Sequence, residues 1–211
     1  MSNIIFYFSG TGNSLAVARS IANELQDTDV VPMLALRENK EIPTKYSKVG
    51  FIFPCYYVHT PEIVMDLIKD LLIQRHQLSF AIVTYGGDYG YALYDIAQQL
   101  QSKTDNPVQT FSVRMPGNHI VGYSAWPEWL QKILLKRAAI RTGKIATKLR
   151  NGAYLHNKKK NQKLFFAKNY IVSYVNKKLG VKDIKQKNVS FQLLINVYTA
   201  QTAKRFVQPR T

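Results

Sequence analysis

The chain opens on a short apolar run, Asn3, Ile4, Ile5, Phe6, Tyr7 and Phe8, which halts at a polar, glycine-containing stretch over residues 9–14. Beyond it Leu15, Val17, Ala18, Ile21, Ala22 and Leu25 recur at the three- and four-residue spacing of a helix with one buried face. The same alternation then repeats. It predicts strands near 29–35, 48–53, 79–84 and 107–114, and helices over 61–74, opened by Pro61, and near 89–102. A last helix, 126–150, carries Trp126, Trp129, Leu130, Ile133, Leu134, Ala138, Ile145 and Leu149 as an apolar stripe with Lys and Arg between them. Strands separated by helices in this order predict an α/β fold whose parallel sheet is covered on both faces. Five strands suit a doubly wound sheet of order 2-1-3-4-5, in which ligands bind at the carboxyl ends of the strands beside the switch point.

Three loops fall at those carboxyl ends. The first, Ser9, Gly10, Thr11, Gly12, Asn13 and Ser14, joins hydroxyl and amide donors to glycines that let the backbone approach a ligand, and it leads straight into a helix N-terminus. That combination suits a phosphate dianion without any Lys or Arg. It is neither a P-loop nor the dinucleotide fingerprint, because the Gly-Lys-Ser/Thr of the one and the third glycine of the other are missing. The second loop follows the third strand with Pro54, Cys55, Tyr56 and Tyr57, and the third follows the fourth strand with Thr84, Tyr85, Gly86 and Gly87. One offers aromatic faces and the other glycine backbone, a pairing suited to a planar cofactor held edge-in between them.

These motifs, together with Met115, Pro116, Gly117, Asn118 and His119, resemble the flavodoxin-like half of a family of flavodoxin–ferredoxin fusion proteins, over residues 3–120 in motif order and only loosely over 121–190. The resemblance implies a flavodoxin-like FMN-binding domain over 1–150. Ser9, Gly10, Thr11, Gly12, Asn13 and Ser14 would hold the FMN phosphate, and the 54–57 and 84–87 loops would flank the isoalloxazine. It also implies electron transfer, in which the protein tunes the flavin by stacking, a dry edge and hydrogen bonds, with Gly86 or Gly87 free to reorient a peptide. No catalytic acid or base is required. His59, His76, His119 and His156 lack ligand spacing and read as surface or hydrogen-bonded histidines, and Cys55 reads as a flavin contact rather than a nucleophile.

Composition bounds the alternatives. Of 211 residues 46% are hydrophobic and 20% charged, which excludes disorder as the main state, and no apolar run reaches the roughly 20 residues of a membrane span. With no secretory signal legible at the start, a cytoplasmic protein is expected. A single cysteine, Cys55, excludes an internal disulfide and a cysteine-held 4Fe-4S cluster in the chain as translated.

The charge of +16 is unevenly spread: residues 1–110 hold 8 basic and 11 acidic side chains, residues 111–211 hold 21 and 2. A basic helical extension or linker is expected over 151–190, where Lys158, Lys159, Lys160 and Lys163 precede Leu164, Phe165, Phe166, Tyr170, Val172 and Tyr174. No nucleic-acid motif accompanies these aromatics, so a redox partner protein, acidic or iron–sulfur, is the expected occupant of the basic surface rather than nucleic acid. A flavin-free binding or regulatory module using the same surface is the alternative.

Residues 191–211 contain an unusual pattern. Read across codon boundaries, Asn196/Val197, Thr199/Ala200, Thr202/Ala203 and Phe206/Val207 can each spell a cysteine codon, and Val207/Gln208 a proline codon. The resulting spacing is that of a bacterial ferredoxin cluster run, Cys-x2-Cys-x2-Cys-x3-Cys-Pro. By composition such a set arises at a given start on the order of once in 10⁵. The expectation is an out-of-frame ferredoxin remnant, the frame slipping between about Lys187 and Ile195, in a chain truncated relative to the fusion proteins.

Overall fold

A computed structural model describes residues 2–117 and 126–152 of the chain, all within the first of two units, Met1–Asn157 and Lys158–Thr211. Five strands, β1 (Ser2–Tyr7), β2 (Thr28–Pro32), β3 (Tyr46–Pro54), β4 (Leu78–Tyr85) and β5 (Gln109–Arg114), form one sheet in the order 2-1-3-4-5 with every neighbour parallel. The connections carry helices α1 (Asn13–Leu25), α2 (Glu62–Lys69) and α3 (Ala92–Gln101), and α4 (Glu128–Arg150) follows the last strand. This is the doubly wound flavodoxin-like fold that the periodicity predicts.

The period of two along each strand sorts its side chains between two cores. Ile5, Ile52, Phe80, Ile82, Phe111 and Val113 pack with Val17, Ala18 and Ile21 of α1 and Ala138, Ile145 and Leu149 of α4. Phe51, Phe53, Ala81 and Val83 turn to the other face and are fully buried, as are Val64 and Ile68 of α2 and Ile96 and Leu100 of α3. Gly50 makes room for this packing. A Cβ built there would fall 2.2 Å from Cζ of Phe80, its register partner on β4, so the ring fills the volume a side chain would need.

Two elements end earlier than the periodicity predicts. The apolar run at 29–35 leaves the sheet after Pro32 and buries Met33 and Leu36 through a 3-10 turn, Met33–Arg37, at the sheet edge. The helix expected to reach residue 74 stops at Lys69. Leu72 instead donates its N–H to Lys40 O (2.7 Å) and accepts from Ile42 N–H (3.0 Å), so long-range pairing replaces the last helical turn. The expected extension over 151–190 lies outside the described residues from 153 onward, as do the 191–211 remnant, Asn118, His119 and His156.

Candidate functional site

The three loops meet at the carboxyl edge of β1, β3 and β4. Gly12 begins α1 with φ +91°, a conformation open to glycine, and supplies no side-chain cap. The first turn of α1 contains no acidic residue, whereas α2, α3 and α4 each place one there, Glu62, Asp95 and Glu128. No carboxylate of its own first turn therefore offsets the positive end of the α1 dipole. Gly10, Thr11 and Gly12 are exposed above it, and Ser9 Oγ accepts the Gly12 N–H at 3.0 Å, folding the loop back on itself.

Not every donor of the hexapeptide points the same way. Asn13 Nδ2 reaches Pro116 O (3.1 Å), tying the loop to the segment after β5, where the Met115 N–H extends the ladder to Tyr85 O. Ser14 is buried, its hydroxyl 2.8 Å from that of Thr84, so these two residues, 70 positions apart, form a strut between α1 and β4. Gly10, Thr11 and Gly12 remain exposed, and Ser9 is half-buried.

The second loop extends β3 by one bond, Cys55 N–H to Thr84 O (2.8 Å), and then reverses. Tyr56 and His59 exchange both backbone hydrogen bonds, at 3.1 and 3.0 Å, around Tyr57 and Val58, whose φ values are +49° and +64°. Two positive φ angles define a type I′ turn, a conformation that Asn and Gly favour and a β-branched residue rarely adopts. The third loop holds this strained turn in place. Tyr91 N–H donates to Val58 O (2.7 Å), Thr60 Oγ1 to Ala92 O (2.6 Å), and His59 Nδ1 lies 2.9 Å from Asp95 Oδ2 while its ring stacks on Tyr91. Gly90, at φ +45°, lies so close that a Cβ there would meet Val58 Cβ at 2.3 Å and Val58 O at 2.5 Å.

Aromatic rings line both loops. Tyr56 meets Phe8 edge-on at 6.4 Å, Tyr85 meets Tyr89 edge-on at 4.9 Å, and Tyr57 is 60% exposed at the tip of the turn. Burial pushes the Cys55 thiol up to about 11 and the Tyr56 phenol up to about 12, so both are neutral at physiological pH. A protonated, half-buried thiol is a packing group and a poor nucleophile. Gly86 and Gly87 follow β4. Arg114 Nε donates to Gly86 O at 3.0 Å, which fixes that peptide, while a Cβ on Gly87 would meet nothing within 4 Å.

The structure thus brings together all fourteen residues singled out in the sequence at one edge of the sheet, with Ser14 and Thr84 turned inward. It adds His59, Thr60, Gly90, Tyr91, Asp95 and Arg114, which hold the loops in place. Of these, Gly90 carries a sequence signal as a glycine in a loop after a strand, and His59, read from the sequence as a surface or hydrogen-bonded histidine, has its partner in Asp95. Among the described residues no group of three or more His, Cys, Asp or Glu could hold a metal ion, and no helix is long and apolar enough to cross a membrane.

A family model described as a flavodoxin domain matches residues 4–124, more than half of the chain and all three loops. The chain belongs to the flavodoxin family. Solved structures similar to this flavodoxin domain include the two-electron reduced flavodoxin of Megasphaera elsdenii, 16% identical over 69% of this chain and 98% of that one, with a TM-score of 0.47. A flavodoxin from an archaeon is 17% identical over 70% and 99%, with a TM-score of 0.35. An FMN-dependent NADH-azoreductase from Bacillus anthracis, in complex with FMN, is 10% identical over 71% and 100%, with a TM-score of 0.49. No curated protein sequence matches the chain.

Proposed function

We propose that this flavodoxin domain binds FMN between its three loops and serves as an electron carrier. The observation that carries the reading is the open start of α1: a glycine cap, no carboxylate in the first turn, and the exposed residues Gly10, Thr11 and Gly12 directly above it, beside two aromatic loops. Flavodoxin-family domains typically bind FMN, and the residues present fit that group. Ser9, Thr11 and the first backbone N–H groups of α1 would bind its phosphate with neutral donors and the helix dipole. Tyr56, Tyr57 and Tyr85 would cover its ring system, and the 86–87 backbone would read the polar edge of the ring.

Bound FMN supplies electron transfer in single or paired steps, a chemistry that calls for no acid or base from the protein. The contribution of this chain is then positional. Arg114 holds the Gly86 peptide, the Val58–Gly90 contact holds the 56–59 turn, and Tyr56 packs edge-on against the buried Phe8. Titration with FMN tests the reading: flavin fluorescence is quenched to a one-to-one endpoint if the loops form its site. A colourless protein that quenches none is the flavin-free module instead.

We also propose that the coding frame shifts between about Lys187 and Ile195, which would relate the chain to the flavodoxin–ferredoxin fusions. The four cysteine-capable junctions and the proline-capable one that follows support it. Resequencing the gene decides the matter. TGT or TGC at all four junctions, in a shifted frame without stop codons, is the expected result; other bases there end the proposal.

A further inference from the structure

Helix α4 has two apolar faces where a surface helix ordinarily has one. Leu134, Ala138, Ile145 and Leu149 are buried against the sheet and α1, as the fold requires. Trp129, Ile133 and Ile140 share the opposite face and are 64%, 40% and 54% exposed. The stripe runs about 16 Å along the helix at 1.5 Å per residue. It is framed by cations: α4 carries seven Lys and Arg against Glu128 alone, and Lys136, Arg137 and Lys144 have no acidic partner among the described residues.

The stripe begins beside the flavin loops. Arg114, which donates to Gly86 O at 3.0 Å, also lies over the ring of Trp126 at 5.8 Å, and Trp126 O accepts from Gln131 in the first turns of α4. An apolar centre containing Trp, with a charged rim, is the make-up of a protein-binding patch.

We infer that the outer face of α4 docks a second electron-carrying protein whose own surface is an apolar patch rimmed by Asp and Glu. The inference rests on the electron-carrier reading, because a carrier must bring its flavin close to another redox group, and this patch starts at the loop proposed to flank the flavin. Charge complementarity sets the sign of the partner. The rest of this chain does not supply it: from residue 153 onward the sequence holds 13 basic side chains and 1 acidic one. Nucleic acid would use the cations and leave the apolar stripe unexplained. A bilayer would use both but offers no redox group at the 84–87 loop.

The test is a binding titration with a purified acidic ferredoxin as probe, run on the full chain with and without FMN. Two double variants are compared, Trp129→Ser with Ile140→Ser, and Lys136→Glu with Arg137→Glu; circular dichroism and melting serve as fold controls, since all four side chains are exposed. The expected result is binding that weakens with salt and falls about tenfold or more in each variant. Charge reversal flattens the salt dependence, and the serine pair leaves it unchanged. Equal binding by both variants and the parent, or no binding to the ferredoxin, overturns the inference. Binding to phosphatidylglycerol vesicles with none to ferredoxin overturns it in favour of a membrane. Because the titration is read without flavin as well, failure to bind FMN would be seen separately from failure to dock.

Discussion

Gly50 and Thr11 show two ways a single residue matters here. At Gly50 the neighbouring Phe80 ring occupies the place of a side chain, with ring atoms 2.2 to 2.8 Å from a built Cβ. Gly50→Ala should destabilise the domain by about 1–3 kcal/mol through overpacking, read from denaturant unfolding. Thr11 stands exposed on the open side of the first loop, where its hydroxyl would face a phosphate. Thr11→Val should weaken FMN binding by about 1.5–3 kcal/mol, the range for a hydrogen bond to a charged group, read from titration with FMN. Ser14 and Thr84 were each legible as polar loop residues, yet their pairing was not, because a contact across 70 residues is a property of the fold. Its removal should therefore register in stability. Cys55 makes a pH prediction. Burial disfavours the thiolate, so the alkylation rate should rise with pH to an inflection near 11, well above that of an ordinary thiol. An inflection near 8 or 9 would mean the second loop does not bury the sulfur.

At the scale of elements, the order of strands and helices was legible because buried strands and one-sided helices have different periods, two and 3.6. The ends were less so. Nothing local announces that Leu72 leaves its helix to pair with Lys40 and Ile42, since the competing hydrogen bonds come from 30 residues away. The turn at 56–59 was hidden for a related reason. Its two central residues, Tyr57 and Val58, give none of the Asn-Gly signal of a type I′ turn, and the conformation is held by Gly90 and Tyr91 on another loop. Gly90→Ala should force the two loops apart, lowering stability by about 1–3 kcal/mol and weakening FMN binding as well. Val58→Gly should act in the opposite direction on stability, because it relieves a β-branched residue from positive φ, a strain of order 1–3 kcal/mol. Thermal unfolding of the two variants checks both signs.

Across the whole molecule, the division of charge corresponds to a division of labour. The acidic stretch, residues 1–110, builds four of the five strands whole and all three loops, and the basic stretch contributes most of β5 and then α4, which closes one face of the sheet and presents the cationic ridge. The sum alone, +16, says only that some anionic surface would be attracted; the position of Trp129, Ile133 and Ile140 on that ridge points to a protein. Five parallel strands in the order 2-1-3-4-5 create the cleft, and an α1 start with no carboxylate of its own gives the cleft its sign. The most direct test is therefore equilibrium titration of the purified full chain with FMN, following flavin fluorescence, for the parent and for Thr11→Val. One-to-one quenching by the parent and markedly weaker binding by the variant is the predicted result. Absence of quenching with flavin in large excess, or equal affinity for parent and variant, would contradict the account.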